Sequence, residues 1–261
     1  MFVPDFDRLL EQLNAIVPQL TATRLMLLNR MASALQVQLS CSSNPNSDFA
    51  TPRFCEYFAS RLLIHHAVVE EKLNKKSFEY IFRDALRHDG RTADLTASNI
   101  HPGADLVMGE TRISLKTEAS KRIRENKITI SKLMEARWVR GRNARDLAQL
   151  ASARLSEHLA GYDRIMMLRA FSLATHQVRY DLIEIPHHLL ALAIDLETDD
   201  ITLNPGRNGG GSALIRQHDR EAFTLRFDGS VEKVTIANLL AELCTIHVTW
   251  SVPLTFFNFD S

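Results

Sequence analysis

Cysteine is scarce in this sequence. Cys41, Cys55 and Cys244 are scattered, odd in number, and form no C-x-x-C. That argues against a disulfide framework or a zinc site and fits a reducing cytoplasm. Long apolar runs are also missing: no stretch approaches about 18 uncharged apolar residues, the length needed to span a membrane. The opening MFVPDFDRLLEQL carries early acids and no apolar signal region. Net charge is absent as well, with 31 basic against 31 acidic residues. Any attraction to a polyanion must therefore be local. G-x-S-x-G is lacking, and the glycines of GRNGGGS (206–212) come without the G-K-[ST] of a phosphate-binding loop. Adjacent histidines at 65–66 and 187–188 point different ways on a helix or strand and chelate poorly.

What is present is a globular chain of 261 residues, 45% hydrophobic, long enough for a real core. Apolar spacing predicts helices within 5–41, at about 53–69 and at about 75–88, with a loop at 40–48. Short β-compatible runs follow at 94–98, 105–108 and 112–117, with Gly109-Glu110-Thr111 as a hairpin turn between the last two. Helices are expected at about 128–138 and 143–160, strands at 164–171 and 178–186, a helix start at 187, and then a β-rich end. The fold class is α/β: a mixed central sheet flanked by helices. Residues 1–50 form an N-terminal helical region and 51–195 the core; 196–261 are a β-rich subregion of the same domain.

The hairpin holds the chemistry. Side chains alternate along a strand, so Ser114, Lys116 and Glu118 share a face. The turn sets Asp105 roughly level with them. Carboxylates hold Mg²⁺ through hard oxygens, and the backbone carbonyl of Leu115 is a natural further ligand. A neighbouring Lys can position or deprotonate an attacking water and offset phosphate charge. The plainer reading of the same residues is a surface ion pair across a hairpin.

These residues resemble the PD-(D/E)XK nuclease superfamily, and within it the type II restriction endonucleases. Pro102-Gly103-Ala104-Asp105 is similar to its first motif, with Pro three places before the acid. Ser114-Leu115-Lys116 is similar to its second, with Ser where an acid is usual. The likeness spans about residues 70–186. Three acids could replace the missing one: Glu118 on the same strand, Glu79 on the preceding helix, and, ranked below them, Glu135 on the following helix. The resemblance implies Mg²⁺-dependent hydrolysis that leaves a 5′-phosphate, and a homodimer cutting both strands of a short site. It also implies a cognate DNA methyltransferase in the same system. A repair or recombination nuclease on the same core, or a DNA binder with a degenerate site, are the alternatives.

Residues 121–145 hold nine Lys or Arg against two Glu. Lys121, Arg122, Arg124, Lys127, Lys132, Arg137, Arg140 and Arg142 are therefore expected to meet DNA phosphates, with Trp138 stacking or packing at a groove. Arg207, Asn208, Arg216 and Gln217 are of the types that read base edges.

Overall fold

A computed structural model describes residues 5–96, 103–205 and 209–254. In chain order its elements are α1 (Phe6–Ile16), α2 (Ala22–Leu35), β1 (Ser40–Ser43), α3 (Pro52–Val68), α4 (Lys75–His88), β2 (Ala93–Leu95), β3 (Leu106–Met108), β4 (Thr111–Glu118), β5 (Lys127–Glu135), α5 (Ala144–Leu159), β6 (Arg164–Leu173), β7 (Gln177–Ile185), α6 (His187–Ala191), β8 (Ile201–Leu203), β9 (Gly210–Gln217), β10 (Arg220–Asp228), β11 (Lys233–Leu240) and β12 (Thr245–Pro253). The class is the expected one, mixed α/β with a mixed central sheet flanked by helices. Among the described residues no helix is long and apolar enough to cross a membrane.

The central sheet has seven strands in the order β1-β12-β7-β6-β4-β3-β2. Its one parallel pair is β4 with β6, joined through β5 and α5, since parallel neighbours need a crossover. A second, antiparallel sheet runs β5-β11-β10-β9-β8.

Two cores sandwich the central sheet. On one face α3 and α4 pack an aromatic cluster in which Phe58 stacks on Trp250, ring centroids 4.5 Å apart. On the other face Leu147, Ala151 and Leu155 of α5 lie between Ile165 and Met167 of β6 and the inner face of the second sheet. The spacing of Phe78, Ile81, Phe82 and Ala85 buries one stripe of α4, and Asn74 caps its start by accepting from the Ser77 N–H.

Two expectations fail here. Residues 128–138 form no α-helix: Ile128 and Ile130 alternate inward while Thr129 and Ser131 face solvent, and the segment up to Glu135 pairs with β11 as strand β5, followed by a short 3-10 turn at Arg137–Val139. The helix formers in KLMEA mislead, because pairing with β11, a hundred residues away in sequence, overrides local propensity. Glu135 therefore ends a strand. Likewise Ser40–Ser43, expected as loop, adds an edge strand to β12.

Candidate active site

The β3–β4 hairpin forms around Gly109, whose φ of +60° suits glycine. Its register sets Leu106 against Ile113, so Asp105 lies one step further on, opposite Ser114. Gly103 introduces this segment at φ +93°, and any Cβ there would meet Tyr162 Cδ1 at 3.1 Å. Pro102 lies outside the described residues.

Asp105 is held from several sides. Its backbone N–H donates to the Ile113 carbonyl at 2.9 Å. Its Oδ2 accepts from the Leu115 N–H at 2.7 Å and the Ser114 hydroxyl at 3.4 Å. Ser114, fully buried, thus serves as a donor that orients Asp105. On a strand, one residue's N–H and C=O face the same neighbour. The Leu115 carbonyl therefore faces the Asp105 side, beyond the point where β3 pairing ends.

Glu79 reaches the same place from α4. Lys75 Nζ donates to Asp105 Oδ1 at 2.7 Å and lies 3.4 Å from Glu79 Oε1. Lys76 holds the other oxygen, Oε2, at 3.1 Å. One ammonium thus lies between two carboxylates, where a free cation could bind. Lys116 lies beside this group. Burial drives its pKa down to about 8, with Lys75 and Lys132 acting in the same direction and the charges of Asp105 and Glu79 opposing. Lys75, Lys116, Thr117, Ser131 and Lys132 line a cavity of about 300 Å³.

Glu118 does not join them. Its carboxylate accepts from Arg169 Nε at 2.7 Å and the Thr129 N–H at 2.9 Å. Desolvation raises its pKa against the pull of Arg169, and the pair is buried, at 8% and 3% side-chain exposure. Glu118 shares a face with Lys116 as expected, but Arg169, invisible at that distance in sequence, captures it. Glu135 is exposed and paired with Lys132. Of the three substitute acids, only Glu79 is brought to Asp105.

The site also contains residues that the sequence did not announce. Lys75 is one, although its i,i+4 spacing from Glu79 was a usable signal. His158 and Tyr162 are others. Both interact electrostatically with Asp105, and burial lowers the His158 pKa to about 4 and raises that of Tyr162. His158 Nε2 and Tyr162 Oη are buried without a hydrogen-bond partner among the described residues. Orphaned polar atoms of this kind call for a polar occupant nearby.

The basic residues lie along the rim. Arg122, Arg124 and Lys127 line a cavity of about 220 Å³ that shares Thr117 and Ser131 with the first. Lys121, Arg137, Arg140 and Arg142 are exposed. Trp138 does not face a groove: it is half-buried, with its ring edge-on to Phe227 of the core at 6.0 Å. Arg216 is exposed on β9 and Gln217 half-buried at its end; Arg207 and Asn208 lie outside the described residues.

Residues 13–252 match the family described as SmaI, type II site-specific deoxyribonuclease. The chain belongs to the SmaI family of type II site-specific deoxyribonucleases. A curated relative, the type II restriction enzyme SmaI of Serratia marcescens, is 31% identical over 214 residues, covering 80% of this chain and 83% of its own length. No solved structure matches the chain. As a SmaI-family member the protein is a site-specific DNA endonuclease, a hydrolase of restriction systems. The constellation at Asp105 therefore lies in an enzyme whose substrate is a phosphodiester.

Proposed function

We propose that this SmaI-family nuclease cuts both strands of a short duplex site with a PD-(D/E)XK-type centre built from Asp105, Glu79, Leu115 and Lys116. The observation that carries this reading is the Lys75 ammonium shared by Asp105 and Glu79, with the desolvated Lys116 alongside. It also counts against a degenerate binder, because Glu79 supplies the acid that Ser114 lacks.

The donor set suits Mg²⁺. Two carboxylates and a backbone carbonyl are hard oxygen ligands, and an incomplete protein shell is normal for an ion that keeps several waters. Asp105, Glu79 and the Leu115 carbonyl would hold it. Among the described residues no group of three His, Cys, Asp or Glu side chains could hold a metal, so the proposed set is two carboxylates, the carbonyl and waters. Bound Mg²⁺ supplies Lewis acidity toward the phosphate and makes water a better acid. Lys116, its pKa lowered to about 8 by burial, takes up the proton of the attacking water and then offsets charge at phosphorus. The Ser114 hydroxyl and the Leu115 N–H keep Asp105 aimed.

Cutting two strands from one centre per chain calls for two copies. Phe6, Leu9, Leu10, Leu13 and Ile16 of α1, with four large apolar side chains of α2, stand 42–75% exposed. This is an apolar area on the order of the 800 Å² per partner of a standard interface. No residue of α1 is buried among the described residues, and an isolated 11-residue helix is marginal in water. We therefore assign the homodimer contact to α1 and α2. The enzyme works in the cytoplasm, alongside a cognate DNA methyltransferase.

Incubation with a large mapped DNA tests the reading. Discrete fragments with Mg²⁺ and none with EDTA support it. Smearing, selective cutting of branched DNA, or retardation without cleavage overturns it.

A further inference from the structure

The catalytic cavity continues onto the second sheet. Ser131 of β5 lines the cavity beside Lys116, the basic rim beside it, and a third hollow of about 750 Å³. That third hollow lies over the face of the second sheet turned away from α5. Strand alternation builds its floor. Val234, Ile236, Leu225 and Phe227 point into the core, so Thr235 and Arg226 point out.

Arg226 is set apart on this floor. Its partners in register are Thr235 on β11 and Ser212 on β9, both short, so the guanidinium stands above them. It is exposed, and among the described residues it has no ion pair or side-chain hydrogen bond. The nearest same-face acid on its strand, Asp228, is committed to its own turn, accepting from the Ser230 and Val231 N–H groups at 2.9 and 3.2 Å. A planar five-donor fork left open in a concave hollow is a recognition group.

Scale selects what it recognises. Five strands are about 19 Å across and cannot enter a major groove about 12 Å wide. A duplex lying on this sheet therefore admits single projecting side chains, not the sheet itself. Arg226 lies two strands from β5, about 10 Å away, and β5 lines the cavity beside Lys116 through Ser131 and Lys132, so a duplex bound at that cavity is a few base-pair steps of about 3.4 Å from this floor.

We propose that the outer face of the second sheet seats the duplex, and that Arg226 reads a guanine in the recognition site through the O6 and N7 acceptors of its major-groove edge. The proposal rests on the nuclease reading above. It adds that sequence is read from β10, outside the catalytic hairpin and the basic rim.

The test starts with wild-type enzyme on mapped DNA. Discrete fragments establish the nuclease reading and give the site; without them that reading fails before Arg226 is in question. Each guanine of the site is then replaced in turn by 7-deazaguanine, which lacks N7. At one position wild-type kcat/KM should fall severalfold, because N7 is one of the two acceptors of a bidentate contact worth about 5- to 150-fold in all. Arg226→Gln should show at least as large a loss on ordinary DNA and no further loss at that position. Arg226→Lys should recover only part of the rate, and Thr235→Glu should weaken DNA binding at least tenfold. Circular dichroism checks folding, and Thr235→Glu probes the same floor independently. A site without guanine overturns the proposal. So does an Arg226→Gln enzyme that cuts like wild type, or one that binds all sequences equally less well while keeping the 7-deazaguanine effect.

Discussion

Lys75 and Asp105 are joined by a 2.7 Å contact, and the same ammonium reaches Glu79 at 3.4 Å. A cation of the protein's own thus lies between the two acids proposed to bind the metal. Lys75→Met should remove this competitor. The Mg²⁺ concentration for half-maximal cleavage should fall severalfold, read by titrating Mg²⁺ against initial rate. An unchanged or higher requirement would mean that Lys75 does not compete for the site.

Lys116 is assigned to the attacking water. Lys116→Ala should lower kcat by about 10²–10⁴-fold, the usual worth of a general base. Gel retardation with Ca²⁺ in place of Mg²⁺ should show duplex affinity within about threefold of wild type. Equal losses in binding and cleavage would reassign Lys116 to holding DNA.

Glu79 and Glu118 should part company. Glu118→Ala leaves Arg169 buried without its carboxylate, a loss of about 3–5 kcal/mol in unfolding free energy, measured by urea titration. Glu79→Gln should leave stability within about 1 kcal/mol, because its partners are part-exposed lysines, yet abolish Mg²⁺-dependent cleavage. If Glu79→Gln cuts normally and a folded Glu118 variant does not, the metal assignment is reversed.

Stability should fall in mild acid. His66 is fully buried, with Nδ1 to the Val69 carbonyl at 3.1 Å and Nε2 to the Tyr180 hydroxyl at 2.8 Å. Burial lowers its pKa from 6.5 to about 4. Between these values the unfolded chain takes up a proton that the native protein refuses, so stability drops as pH falls from about 6.5 to about 4. Below that window this group adds no further loss. The full effect is on the order of 3 kcal/mol. Urea midpoints across the window should show it, and His66→Gln should flatten the curve.

The N-terminal helices should control assembly. Leu9→Glu with Leu13→Glu should shift sedimentation from dimer to monomer and leave the Tm of the remaining fold nearly unchanged, since neither side chain is buried. A wild-type protein that sediments as a monomer at micromolar concentration would remove the dimer assignment.

The hairpin was legible because both of its signals are local: period-two alternation and a glycine turn. Those signals set Asp105, Ser114 and Lys116 together on one hairpin, and the family resemblance supplied their chemistry. α3, α4 and α5 were legible from apolar spacing and caps. What stayed hidden depends on distant partners. Glu118 looked like a ligand until Arg169, 51 residues later, took its carboxylate. β5 looked helical because its residue types are, and only β11 makes it a strand. Trp138 looked like a stacking residue because it sits among arginines, while Phe227 draws it inward.

The pairing of β1 with β12 has a consequence during synthesis. Ser40 meets Ser251 across the sheet, and the stack on Phe58 is closed by Trp250. A nascent chain shorter than about 250 residues lacks the strand that completes the sheet beneath α3. The fold therefore closes late, through contacts of high sequence separation, which form slowly. A ribosome that has not yet released β12 carries an unfinished nuclease, and cutting competence waits for that strand.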